Sequence, residues 1–247
     1  MQLTQKKSRR GDLLTAAAVA MLLAVMAALL YTGSLTRQVT NMLIPTAVYI
    51  VMAVSLNLVV GLLGELSLGH AGFMSVGLFS GCLVAIALTN TALPLMVRLP
   101  VSMLAGGLTA AVFGLLVGLP TLRLRGDYLA IVTLACGEII KNIITNLRVT
   151  GGALGLNTTA IYAGAKELLP YGAALVLLTV AVMLNLKRSK YGRAIMAIRD
   201  NRIAAESVGL SVTRYKLAVF VIAAFFAGCA GVLYGHSLAN IKAAAFD

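Results

Sequence analysis

The sequence predicts an all-α protein, a polytopic transmembrane helical bundle of about seven spans with a helical cytoplasmic loop. Three observations predict it. The 247 residues are 60% hydrophobic and only 11% charged, with a mean hydropathy of +0.95, whereas soluble domains carry about 25% charged residues. Seven apolar segments fall at 13–31, 39–63, 67–88, 99–119, 128–146, 168–186 and 217–238. Each is about 19 residues or longer, and about 20 are needed to cross the hydrocarbon. The charges gather between these segments, as they must when lipid is the solvent for the rest.

The first segment follows Lys6, Lys7, Arg9 and Arg10, which also fits a secretory signal. It is longer than a simple signal core and no small-residue cleavage site follows Tyr31, so it reads as a span. Segment 39–63 is plain apolar sequence around Asn57. Segment 67–88 is not plain: it holds Gly69, Gly72, Gly77 and Gly81 together with Ser67 and His70. Glycine at membrane depth permits close helix packing, or a broken helix beside a path. Packing is the expected role. Segment 128–146 carries Glu138, Lys141 and Asn142. Glu138 lies about 15 Å into the span, near the midplane, and shares a helix face with Lys141 three residues on. Such a charge faces protein or water rather than lipid. A polar path and a structural ion pair fit it equally.

With the N-terminus in the cytoplasm, residues 6–10, 123–125 and 187–216 are inside and hold fourteen of the twenty Lys and Arg. Arg37, Arg98, Lys141, Arg148, Lys166 and Lys242 are the remainder. This asymmetry predicts the orientation by the positive-inside rule. It also accounts for the net charge of +12 without nucleic acid, for which no reading motif is present. Cys82, Cys136 and Cys229 all fall in apolar segments and read as small buried hydrophobes, not as a disulfide framework. There is no Trp, so interfacial anchoring falls to Tyr and basic residues. No HExxH, GxSxG or intramembrane carboxylate pair is present, which argues against an enzyme. No cofactor or metal site is expected. The GxxxxGK[ST] phosphate loop is missing from the chain, so ATP cannot be bound by that route.

The expected inner loop, 187–216, holds eight Lys and Arg. Within it, 190–199 spaces Ala194, Ile195, Ala197 and Ile198 among basic residues. Asp200 is then expected to cap a second short helix over 201–208, closed by Gly209 at the C′ position. Ala204 and Ala205 would leave a shallow face for another protein's groove. A solvated connector is the plainer alternative.

The loop contains Ala204-Ala205-Glu206-Ser207-Val208-Gly209, which resembles the Glu-Ala-Ala, three residues, Gly signature of ABC importer permeases, with Ile203 in place of the leading Glu. Its surroundings sharpen the resemblance. Ser189–Ala194, Ala197–Asn201, Arg214–Leu217 and Ala227–Gly231 are similar to the branched-chain amino acid importer permeases, the M-type subunit more than the H-type. Ser55–Gly61, Ser67–Phe73, Arg125–Leu134 and Thr150–Leu156 agree in order and spacing. The resemblance covers about 42–247. The family continues past the point where this chain stops, so the C-terminus is expected to be truncated relative to it.

The resemblance implies one transmembrane permease domain, 1–247, in a bacterial inner membrane. Its partners would be a second, H-type permease, two cytoplasmic ABC ATPases and an extracytoplasmic binding protein. Coupling to the ATPases would fall to Arg193, Arg199, Arg202, Ala204, Ala205, Glu206 and Gly209. Asn57, Ser67, Gly69, His70 and Glu138 are the candidates for a substrate path, although His70 alone is more often a hydrogen-bonded packing residue. Thr150–Leu156 reads as a glycine-dependent turn or a contact for the binding protein. A permease for urea or short amides would look alike in sequence. An ion-coupled secondary transporter, with Glu138–Lys141 as the coupling element, is the rival from another class.

Overall fold

The computed structural model describes the backbone of residues 2–90, 94–122, 124 and 126–242, and the side chains of all of these except 2–14, Asp127 and Ala153. Arg123 and Arg125, the side chains at 6–10, and residues 243–247 therefore lie outside the description. Nine α-helices are described: α1 Gln2–Tyr31, α2 Arg37–Asn57, α3 His70–Thr89, α4 Leu95–Thr121, α5 Asp127–Asn146, α6 Ala165–Arg188, α7 Lys190–Asp200, α8 Arg202–Ser207 and α9 Val212–His236. Two short strands, β1 Leu156–Asn157 and β2 Asn240–Ile241, pair antiparallel. Six of the helical segments are long and apolar enough to cross a membrane, and the described apolar part of α1, Thr15–Tyr31, is shorter. The chain is a multi-pass membrane protein built as a helical bundle.

Helix is the expected outcome for apolar sequence in lipid, because it bonds every backbone amide within its own segment. The exception lies between α2 and α3. After Asn57 the helix widens into a π-turn, Leu58–Leu63. It then stops at Gly64, which takes a left-handed φ of +77°. Residues 64–69 are irregular, and α3 starts only at His70. The span expected from residue 67 is thus shortened at its start.

Successive helices run in alternating directions, and contacts between their ends sort into two sides. On one side Tyr31 Oη donates to the Lys166 carbonyl (3.2 Å), the Ala163 amide donates to the His236 carbonyl (3.0 Å), and β1 joins β2. On the other, Leu63, Leu122, Ile195 and Phe220 share one buried cluster with α7 and the start of α9. Within the chain the expected order of spans is therefore self-consistent.

The most extensive packing is among α3, α4 and α9, and glycine is the reason. A Cβ on Gly77 would sit 2.2 Å from Gly228 Cα, one on Gly106 would sit 2.5 Å from the Gly77 carbonyl oxygen, and one on Gly228 would sit 2.7 Å from the Gly106 carbonyl oxygen. Three backbones touch where each lacks a side chain, the small-residue packing that replaces the hydrophobic effect between helices in lipid. The packing role expected for the glycines of 67–88 therefore holds at Gly77, and at Gly72, whose Cβ would lie 3.0 Å from Gly137 Cα. Burial follows the same order: the apolar window of α9 is 67% buried and that of α5 only 28%.

Because backbone cannot yield as a side-chain tip can, Gly77→Ala should destabilise the bundle by about 1–3 kcal/mol. The expected readout is a lower melting temperature in detergent. Gly164→Ala, with nothing within 4 Å of the new Cβ, should leave the melt unchanged.

Candidate functional site

The chain between α6 and α9 forms two capped helices, as the spacing of its small residues predicts. Ser189 caps α7 by accepting from the Gly192 amide (3.1 Å). The cap of α8 is Asn201, not Asp200: Asn201 is extended (φ −154°, ψ 102°) and its Oδ1 accepts from the Ala204 amide at 3.0 Å. Asp200 is still helical, and its carboxylate is taken by Arg199 Nε and Nη2, both at 3.1 Å. Gly209 ends α8 with φ +84°, and the Leu210 amide reaches back to the Ala205 carbonyl (3.1 Å), a Schellman-type closure. The expected loop limits of 187 and 216 take in the last turn of α6 and the first of α9.

The two alanines part company. Ala205 is buried with Ile198 and Val212, so it fastens α8 to the body of the protein. Ala204 faces outward, between Ile203 at 80% and Val208 at 76% exposure. The outward face is thus two large apolar side chains around an alanine. Arg202 pairs with Glu206 across one turn (2.9 Å). Arg193 Nη1 donates to the Arg188 carbonyl (3.1 Å). Arg199 is exposed but reaches back to the spans: its Nη1 donates to the Gly61 carbonyl in the π-turn at 3.0 Å.

The expected path residues do not converge. His70 Nε2 meets Ser55 Oγ at 2.8 Å inside the α2–α3 contact and packs edge-on against Phe73; it is a bonded packing residue. Asn57 is exposed and curls over Gly61, where a Cβ would lie 2.0 Å from its Oδ1. Ser67 is buried, and its Oγ has no hydrogen-bond partner among the described residues. Only Gly69 and Glu138 come together. They line a groove of about 160 Å³ between α3 and α5, with Leu68, Gly72, Ser75, Gly137 and Lys141. Gly69 is required there, since a Cβ would sit 2.1 Å from the Thr133 carbonyl oxygen. Glu138 Oε2 meets Lys141 Nζ at 3.1 Å, with the Glu138 side chain 50% exposed. A half-exposed charge midway along a spanning helix marks a face that is not meant for lipid.

Sequence reasoning missed a second Glu–Lys pair. Glu65, just past the break in α2, bonds Lys216 near the start of α9, and the two side chains are 14% and 6% exposed. Each charge sits at a span end, where charges are unremarkable in sequence. Only the fold brings them together, across 151 positions. Removing one partner of so buried a pair typically costs about 3–5 kcal/mol.

Beyond the end of α5, Gly151, Gly152 and Gly155 all take positive φ (+79°, +58° and +88°), so the turn reading of Thr150–Leu156 holds. Thr150 Oγ1 ties the turn to the end of α5 by donating to the Ile144 carbonyl (2.6 Å).

A multi-pass helical membrane protein, with a capped helix pair and a groove between two spans that holds a Glu–Lys pair, is the class this architecture defines. Residues 38–247 match the family described as branched-chain amino acid transport system / permease component, and the chain belongs to that family. It is 37% identical over 228 residues to the high-affinity branched-chain amino acid transport system permease protein LivM of Salmonella typhimurium, covering 76% of this chain and 50% of that one. It is 38% identical over 222 residues to LivM of Escherichia coli, with the same coverage. The probable branched-chain amino acid transport permease protein LivM of Methanocaldococcus jannaschii is 31% identical over 148 residues, 56% of this chain and 43% of that one. The chain spans about half the length of the LivM proteins of the two enteric bacteria. No solved structure matches it.

Asn201→Ala should remove the α8 cap at a cost of about 1 kcal/mol. The expected sign is faster amide hydrogen exchange at Ala204 and its neighbours, with α7, capped by Ser189, unaffected.

Proposed function

We propose that this chain is the M-type permease subunit of an ABC importer that carries branched-chain amino acids across a bacterial inner membrane. A second, H-type permease would complete the path. Two cytoplasmic ATPases would drive it, and an extracytoplasmic binding protein would deliver the substrate. The observation that carries this reading is the α7–α8 pair. Two capped helices hold Ile203, Ala204 and Val208 out into solvent while Ile195, Ile198 and Ala205 anchor them from beneath. A plain connector has no reason to order an apolar face in water. The names of the relatives support the substrate class, and the α7–α8 side is then the cytoplasmic one.

In this reading the ATPase groove closes over Ile203, Ala204 and Val208, with Arg193, Arg202 and Glu206 at the rim meeting charges on the partner. Gly209 lets the chain turn sharply beneath that face. The wall of the path is the α3–α5 groove, where Gly69 and Gly137 open space beside Glu138 and Lys141. The pair is close to neutral overall, which suits passage of a zwitterion better than retention of an ion. ATPase closure would rock the helices between inward- and outward-open arrangements.

Two measurements test the reading in proteoliposomes holding all the subunits. Gly209→Leu forces a bulky residue into left-handed backbone, a strain of order 1–3 kcal/mol. The protein should still insert, but binding-protein-stimulated ATP hydrolysis should be lost; normal stimulation would refute the docking role. Glu138→Gln should cut uptake while the complex still assembles. Reduced assembly instead would make Glu138–Lys141 a structural pair.

A further inference from the structure

We propose that Glu65, Lys216 and Arg199 form a clamp that ties the break between α2 and α3 to the inner helices, and that through this clamp a displacement of α7–α8 reaches the α3–α5 groove. The proposal rests on the reading in which α7–α8 receive the ATPase; it adds the residues by which that contact would be felt at the path.

Two separate attachments converge on the break. Arg199, at the end of α7, donates to the Gly61 carbonyl at 3.0 Å. Lys216, in the second turn of α9, bonds Glu65. Between these contacts the stem of Arg199 lies flat on Gly64, so closely that a Cβ there would be 2.6 Å from Arg199 Cγ. The Gly61 carbonyl belongs to a π-turn, a local distortion that recurs at functional sites. Gly64, Glu65, Arg199 and Lys216 line a cleft of about 420 Å³, which Ile203 and Glu206 of α8 also border. The break and one edge of the outward docking face, at Ile203, thus border one cleft.

The far end of the break is fastened as firmly. The Leu68 amide donates to Thr133 Oγ1 on α5 at 3.1 Å. Gly69 rests on the Thr133 carbonyl, and His70 is bonded to Ser55. Four residues, Glu65–Leu68, join the clamped end at Gly64 to the groove at Gly69. A strap so short has little slack. Movement of Arg199 and Lys216 relative to α5 would therefore pull on Leu68 and Gly69, which line the groove with Glu138. Glu65 and Lys216 are positioning residues here, acting on the path through the strap.

The test uses the complete complex in proteoliposomes, with the ATPases, the second permease and the binding protein, and reads leucine taken up per ATP hydrolysed. Glu65→Gln and Lys216→Gln should each lower that ratio about ten-fold, within the usual span of a coupling free energy. The charge-exchanged double variant, Glu65→Lys with Lys216→Glu, should regain most of it. Gly64→Ala, which keeps both charges but presses on Arg199, should lower the ratio as well. A merely structural role would reduce the amount of assembled complex and scale uptake and hydrolysis together, leaving the ratio at the wild-type value. An unchanged ratio in the single variants overturns the clamp and leaves the importer reading standing. So does a failure of the single variants to assemble that the double exchange does not repair. A wild-type complex that takes up leucine without ATP hydrolysis overturns the importer reading itself, and the clamp with it.

Discussion

Inside a bilayer an unpaired backbone amide or carbonyl has no water to turn to, and the rest of this architecture follows from that constraint. It makes every plain apolar segment a helix. It also dictates what must happen where the helix fails. Between Leu63 and His70 the chain leaves its ladder, and protein groups take over the freed backbone. Thr133 accepts from the Leu68 amide, Arg199 donates to the Gly61 carbonyl, and the Glu65 amide reaches the Val59 carbonyl. Two elements distant in sequence, α5 and α7, thus meet the chain at the π-turn and the irregular stretch after it, because that backbone cannot be left to lipid.

Close approach of backbones is the complementary requirement. Lipid tails compete with apolar side chains on equal terms, so helices adhere by dispersion and shape. Gly77, Gly106 and Gly228 bring α3, α4 and α9 into direct backbone contact, and this trio is the most extensively packed part of the molecule. Around it the burden of burial falls away, to the 28% of α5. The proposed importer reading calls for both: a body that keeps its shape, and a face open to other subunits or to solute. Here the open face carries the groove with Glu138 and Lys141, and the break that is proposed to move lies between α2 and the packed body.

The two Glu–Lys pairs make opposite use of the same chemistry. Glu65 and Lys216 are almost sealed and connect distant helices, so their attraction is screened little and their separation is costly. Glu138 and Lys141 lie one turn apart on one helix, and the carboxylate is half-exposed. Such a pair contributes little to stability, but it sets the character of the surface around it. The first suits holding a joint, the second suits lining a passage.

Much was legible from the chain alone, because solvent partition acts residue by residue. Apolar runs of sufficient length specify spans wherever they occur, and six of the expected seven are matched by helices of full spanning length, with α1 over the other. The helix pair between α6 and α9 was legible too, since caps and terminating glycines act over three or four residues; even so, the cap proved to be Asn201, because Asp200 was held by Arg199. What the sequence could not disclose is which residues meet. The partner of Glu65 is 151 positions away. The inward turn of Ala205 depends on Ile198 and Val212, and the five candidate path residues scatter among four environments. Pairing at a distance is a property of how helices pack, and packing is decided by the joint fit of all the surfaces, which no local pattern carries.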